Sequence, residues 1–103
     1  MTEVNRIELI CDAINCPVVQ VAGRSFPGVV IQGDSLKNLH DIVERVSLEL
    51  KAQGNEDLHD TAEWAREILV GYLVVYQDSL KERGIPLPYN EEVRALDDER
   101  GED

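Results

Sequence analysis

The stretch that decides the fold is FPGVVIQGDSL, at residues 26–36. The Phe-Pro-Gly beginning is typical of a turn, because proline lacks an amide donor and glycine tolerates positive φ. The β-branched residues at 29–31 favour a strand that continues to residue 32. Asp34 or Ser35 then offers a helix N-cap. The stretch therefore predicts a turn, a short strand and the start of a helix in immediate succession.

Upstream of this stretch, two further strands are predicted. Residues 4–11 and 17–22 are rich in valine, isoleucine and leucine, which favour a pleated, half-buried surface. Residues 23–28 contain two glycines and a proline, the composition of a hairpin connection. We therefore expect a small antiparallel three-stranded meander.

Downstream, apolar residues recur at three- and four-residue steps from Leu36 to Leu50, which predicts a helix that ends at Gly54. Asn55 or Asp57 can cap a second helix, which ends before Gly84. The apolar stripe expected to face the core in this second helix comprises Leu58, Ala62, Ala65, Leu69, Tyr72, Tyr76 and Leu80. At about 1.5 Å per residue the second helix reaches roughly 40 Å, so a small sheet cannot shield all of it.

Length and composition fit one domain. A chain of 103 residues has material for a single core, and 43% apolar residues suffice to fold it. The predicted fold class is α+β, with the three-stranded meander packed against two helices, the second of them long. We assign this domain to residues 1–88. Residues 89–103 are rich in acids and are expected to form a largely disordered C-terminal tail.

The charge indicates the class of partner. With 21 acids against 10 bases the formal net charge is -11, which repels phosphate backbones and anionic lipid. We therefore expect no nucleic-acid partner and no membrane partner, and a basic protein fits better. The longest apolar run, residues 68–76, is far shorter than the roughly 20 residues that span a bilayer, and the N-terminus lacks the pattern of a signal peptide. These observations predict a cytoplasmic protein.

The residues that usually carry chemistry are isolated in this sequence. Cys11 and Cys16 have no nearby histidine and suggest reduced, partly buried thiols. His40 and His59 lack a second ligand within one helical turn and are interpreted as surface histidines. The glycines do not match a phosphate-binding loop. We therefore predict no catalytic residues, no metal, no cofactor and no enzymatic activity.

The second helix carries an acidic face. Glu56, Asp60, Glu63 and Glu67 fall within a narrow sector of the helical wheel, and no lysine or arginine within this set offsets their repulsion. They could be an ordinary solvated face, or they could bind a basic protein. Trp64 lies on their flank, either as a core residue or as an interface anchor. The binding interpretation predicts that all five residues contact a partner.

The same helix is apolar nearly all round at residues 68–76. A helix with this property is buried on more than one side, and a second copy of the chain could provide the second side. We therefore predict a homodimer with Ile68, Tyr72, Val75 and Tyr76 at or near its interface.

Two motifs resemble a known family. Residues 26–28 followed by QGDSL at residues 32–36, and the helix exit RGIPLP at residues 83–88, are similar to the corresponding elements of HicB-like antitoxins. The combination also resembles a small bacterial family of unknown function, which is the closer relative. The HicB-like resemblance implies a non-catalytic domain that binds and blocks a small basic ribonuclease toxin. Unlike that family, this chain has two helices between the two motifs and no evident DNA-binding module after Pro88.

These observations are compatible with three functions. The leading hypothesis is a non-catalytic acidic domain of the antitoxin or immunity-protein type, which masks a basic toxin, expected to be a nuclease. The alternative is a homodimeric structural, assembly or adaptor protein of bacterial or phage origin without a toxin partner. The third is an enzyme that uses the carboxylates, although one helix provides at most one wall of a site.

Overall fold

The computed structural model describes residues 6–13 and 16–95. In chain order the elements are β1 (Ile7–Cys11), β2 (Val18–Val21), β3 (Gly28–Val29), α1 (Gly33–Ala52) and α2 (Glu56–Glu82). The prediction of an α+β fold with a three-stranded antiparallel sheet and a long second helix is confirmed. The chain divides into two compact units, Met1–Gln32 and Gly33–Asp103, which we describe separately.

The first unit is the predicted meander. Its strand order is β1-β2-β3, with Ile7 opposite Val21 and Leu9 opposite Val19, and the register shifts between Leu9 and Cys11. β3 has two residues, shorter than expected, because only Gly28 and Val29 align with β2. The turn before β3 contains Gly23 at φ 88, a conformation that favours glycine. Every residue of β1 is exposed.

The second unit begins with a hairpin of α1 and α2. The amide of Ser35 donates to Asp34 Oδ1 at 2.8 Å in the first turn of α1. The helix ends in a Schellman-type arrangement, in which the amide of Asn55 donates to the Leu50 carbonyl and Gly54 adopts φ 75. The Asn55 side chain then caps α2 by accepting from the amide of Leu58. Both predicted helices and the turn between them are therefore observed.

The C-terminal segment, residues 85–95, returns along this hairpin. α2 ends at Glu82, and Gly84 follows the C-cap residue Arg83 with a φ of 68°; the amide of Ile85 donates to the Leu80 carbonyl. Val93 is buried with Val70 and Leu73, and these three side chains form the hydrophobic core of the unit. Within the predicted disordered tail, Val93 is thus buried, and Tyr89 and Ala95 pack against this core. Residues 96–103 of that tail lie outside the described residues.

The buried face of α2 differs from the predicted one. Leu58, Ala65 and Tyr72, which were expected to face the core, are exposed. The fully or nearly fully buried residues of the helix are Arg66, Val70, Leu73 and Gln77. The C-terminal segment contributes to this difference, because Val93 and Tyr89 pack on the side of α2 that carries Leu73 and Gln77. Within the described ranges, no helix is long and apolar enough to cross a membrane.

Candidate functional site

The outward side of α2 carries a line of exposed apolar side chains. Trp64 is 68% exposed, Ile68 46%, Tyr72 60% and Val75 67%. Their spacing of four, four and three residues places them within about 80° of the helical wheel. We call these four residues the outer stripe. Trp64 is therefore a surface residue, and the interpretation that placed it in the core is wrong.

An acidic edge borders this stripe. Glu56, Asp60 and Glu67 are exposed, and their positions lie within about 40° of one another on the wheel, beside Trp64. We call these three residues the acid row. Their carboxylates project from the same rigid helix as the outer stripe. The structure thus brings together four of the five residues predicted to bind a partner.

Glu63, the fifth residue of that set, is half-buried and its carboxylate is occupied. Arg66 donates to it through Nε at 3.0 Å and Nη2 at 3.1 Å, and Ser47 Oγ donates at 2.6 Å. The hydrogen bonds from Arg66, strengthened by that from Ser47, outweigh burial and hold the pKa of Glu63 below its ordinary value. Arg66 therefore offsets part of the repulsion that the sequence pattern had left unrelieved.

The same cluster joins the two helices. Ser47 of α1 is buried, and its carbonyl accepts from His59 Nδ1 at 2.9 Å across the hairpin. His59 is half-buried and bonded, so it is not the surface histidine expected from its spacing. A serine, a histidine and a glutamate meet here, but the serine hydroxyl donates to Glu63 and is shielded from solvent. Ser47 Oγ also lies 3.1 Å from His59 Nδ1, but the buried hydroxyl has no access to a substrate, and the cluster links α1 to α2.

A second polar cluster lines a cavity of about 200 Å³ between α1 and the C-terminal segment. His40 is buried, which overturns its interpretation as a surface residue, and its Nδ1 lies 3.0 Å from Asp41 Oδ1. Lys37 Nζ donates to both oxygens of Asp41, at 2.9 and 2.8 Å. Burial alone would raise the pKa of Asp41, but the bonds from Lys37 and His40 lower it.

The atoms offered by His40, Asp41 and Glu44 lie within 4.8 Å of one another, so they could in principle hold a cation. However, the ammonium of Lys37 already donates hydrogen bonds to the Asp41 carboxylate, and the guanidinium-bearing Arg66 also lines the cavity. Two positive groups oppose a divalent ion at this position. We therefore assign no metal to this cluster.

Cys11 and Cys16 are free and exposed, where partial burial was expected.

The residues predicted to form a homodimer interface fall into two groups. Ile68, Tyr72 and Val75 belong to the outer stripe and are accessible. Tyr76 is half-buried and packs so closely on Gly33 that a Cβ at residue 33 would overlap its ring. Its part in a dimer interface stays a prediction, as does the dimer itself.

The structure also reveals a buried polar residue that sequence reasoning missed. Gln77 is fully buried, and its Oε1 accepts from the Val93 amide at 2.9 Å and from Tyr89 Oη at 2.8 Å. Its Nε2 donates to the Val93 carbonyl at 2.8 Å. Gln77 thus holds the C-terminal segment on α2. The available signal was a single glutamine at the end of an apolar run, followed by isolated apolar residues in an acidic segment.

We compared the chain with protein-family models, curated proteins and solved structures, and only the family models gave a match. No curated protein and no solved structure matches the chain. The model of a family of unknown function, DUF6959, matches residues 2–89, which is most of the chain. The expectation of a family of unknown function is thereby confirmed. The chain belongs to the DUF6959 family.

Proposed function

We propose that this protein is a non-catalytic domain that binds a basic protein partner through the outward side of α2. The observation that carries the proposal is the exposure of Trp64 beside the acid row. A large exposed aromatic residue with a charged edge is the composition of an interface hot spot and its rim.

The hydrogen bonds that hold α2 in place support this proposal. The link between Ser47 and Glu63 fixes the first half of the helix to α1, and Gln77 fixes its second half to the C-terminal segment. Side chains on such a rigid helix lose little conformational entropy when they bind. The net charge of -11 adds a long-range attraction for a cationic protein, which speeds encounter.

The kind of partner follows from the same chemistry. A small basic toxin, in particular a nuclease whose own surface must attract phosphate, would complement the acid row. The similarity of the motifs at residues 26–36 and 83–88 to HicB-like antitoxins favours the same class. The protein would then act in the cytoplasm by masking the active site of the toxin.

A homodimeric structural or adaptor protein is the second candidate. The exposure of Ile68, Tyr72 and Val75 favours it, because contiguous apolar surface of this kind often marks an interface. Light scattering tests the dimer itself, which has twice the 11.6 kDa mass of the chain.

Comparative capture tests the leading proposal. The wild-type chain and three variant baits are incubated with extract of the native host, and bound proteins are quantified by mass spectrometry. One bait carries Trp64→Ser, and another neutralises the acid row. The third is a control with the same change in net charge, made at exposed acids outside α2: Glu8→Gln, Glu49→Gln and Glu91→Gln.

We expect at least one basic protein to bind the wild-type and control baits and to be lost from the other two. A protein captured equally by all four baits would show that the outward side of α2 is not the binding surface. If the basic protein is lost equally from the control bait and the acid-row bait, binding depends on the net charge of the chain and not on the position of the acid row.

A further inference from the structure

Gly71 lies at the edge of the outer stripe that faces the acid row. It is exposed, and its neighbours at three and four residues along the helix are Ile68 and Val75 on the side of the outer stripe and Glu67 and Val74 on the other side. A Cβ built at residue 71 would meet no atom within 4 Å. The glycine therefore leaves a shallow notch among bulky side chains.

The fold itself does not require this glycine. Gly71 does not adopt positive φ, unlike Gly23, Gly54 and Gly84, and it makes no close approach to another part of the described chain. A glycine in a helix interior destabilises the helix relative to alanine, because it has more conformational freedom to lose. A stability cost with no packing benefit inside the unit indicates that something outside the unit uses the space.

The geometry of the outer stripe suits another helix. Its residues follow one line along the helix axis over about three turns, roughly 16 Å at 1.5 Å per residue. Two packed helices insert a side chain of one into a hole formed by side chains of the other. Ile68, Gly71, Tyr72 and Val75, at positions i, i+3, i+4 and i+7, form such a hole, which the missing Cβ of Gly71 widens into the notch.

The charge pattern decides between a second copy and a different protein. A second copy would bring its own acid row to the interface. Asp78 is exposed and continues the row toward the other end of α2, so reversing the direction of the second helix still places acids against acids. A helix with lysines or arginines beside its apolar face would instead meet opposite charge along the whole row.

We propose that the partner contributes a basic amphipathic helix, which lies along α2 and inserts an apolar side chain into the notch at Gly71. Its apolar face covers the outer stripe, and its basic edge contacts Glu56, Asp60 and Glu67. This inference rests on the proposed function and specifies how the partner is recognised.

The probe for the test is a designed, fluorescently labelled peptide of about 18 residues, or five helical turns. Leucines form one face and lysines line the adjoining edge. Two control peptides accompany it: one has glutamate in place of lysine, and the other has the same composition in scrambled order. Binding is followed by fluorescence anisotropy and helix formation by circular dichroism.

The decisive variant is Gly71→Leu, which places a bulky side chain in the notch and whose Cβ lies in open space. Asn38→Leu, at an exposed position of α1, adds the same side chain elsewhere. We expect the basic helical peptide to bind the wild type and to become helical. Gly71→Leu should weaken that binding by about tenfold or more, and Asn38→Leu should leave it unchanged.

Several results would overturn the inference. These are failure of the wild type to bind the basic helical peptide, equal binding of the scrambled peptide, and equal binding by Gly71→Leu. A dimer in solution in which Ile68, Tyr72 and Val75 are protected from solvent would overturn it too. If a captured basic protein requires the acid row but tolerates Gly71→Leu, the proposed function stands and only the inserted helix is refuted.

Discussion

Gln77→Met tests how the second unit is held together. Methionine keeps the length and approximate volume of glutamine but cannot make the three hydrogen bonds to Tyr89 and Val93. Each such bond contributes about 1 kcal/mol net, which sums to about 3 kcal/mol. Val93 is buried, so in the variant its backbone amide and carbonyl would lose their hydrogen-bond partner and would not be solvated by water in its place.

The loss of stability has an upper limit, because the C-terminal segment can detach from α2 and so avoid burying backbone groups that lack hydrogen-bond partners. Detachment exposes Val93, whose burial stabilises by roughly 1.5 to 3 kcal/mol. We therefore expect Gln77→Met to lower the free energy of unfolding by about 2 to 3 kcal/mol. Total stabilities of about 5 to 15 kcal/mol are usual for a domain, so this loss is easily measured.

Urea unfolding measures the loss, and amide hydrogen exchange at Val93 reports whether the segment has detached. Gln53→Met is the matched control, since Gln53 is exposed and its side chain donates to the neighbouring Glu49 carboxylate at 3.2 Å. It should change stability by less than about 0.5 kcal/mol. Tyr89→Phe should cost about 1 kcal/mol in the wild type and less in the Gln77→Met background. Wild-type stability together with unchanged protection of the Val93 amide would refute this reasoning.

Three further changes test the hairpin. Glu63→Gln should cost about 1 to 2 kcal/mol at pH 7. Folding lowers the pKa of Glu63, so the extra stability of the wild type over Glu63→Gln is fully present above the ordinary pKa of 4.5 and is lost as the pH falls through the lower folded pKa. Urea unfolding of both proteins from pH 7 to pH 2.5 measures this. A difference in the free energy of unfolding that stays constant with pH would contradict it. Gly33→Ala should lose about 1 to 3 kcal/mol, since its Cβ overlaps the Tyr76 ring, and a neutral effect on thermal unfolding would contradict that packing. Gly71→Ala should gain about 0.5 to 1 kcal/mol, and a loss would mean that the fold needs this glycine.

Local signals in the sequence predicted the elements of the fold well. The glycines at 54 and 84 have positive φ and mark the ends of both helices, and Asn55 caps α2 as one of two expected residues. These features depend on a few neighbouring residues. Strand lengths were less accurate, because β3 contains only the residues that align with β2.

The buried side of α2 could not be predicted, because it depends on contacts distant in sequence. Periodicity placed Tyr72 toward the core, whereas the return of Val93 and Tyr89 buries the side that carries Gln77. A lone valine in an acidic segment gives no periodic signal. The sequence spacing of His40 likewise indicates a surface residue, whereas His40 is buried in the structure, and this burial depends on the packed hairpin.

The candidate site was predicted in part. The helical wheel correctly grouped Glu56, Asp60 and Glu67 on one exposed side with Trp64 on their flank. It could not show that Glu63 turns toward Ser47, since that contact crosses from α2 to α1. Nor did the sequence show that Gly71 is surrounded by open space, because this is visible only once the helix is placed.

The central claim is that the acid row attracts a basic protein to the outward side of α2. The most direct test is the association rate constant of the captured basic partner, measured at several salt concentrations. The wild type is compared with the variant that carries Glu56→Gln, Asp60→Asn and Glu67→Gln. The equal-charge control is the variant already described for the capture experiment.

We predict that the acid-row variant associates about tenfold or more slowly than the control at low salt, and that the two rates converge as salt screens the charges. Association rates that are equal for the acid-row variant and the wild type at every ionic strength would contradict the claim.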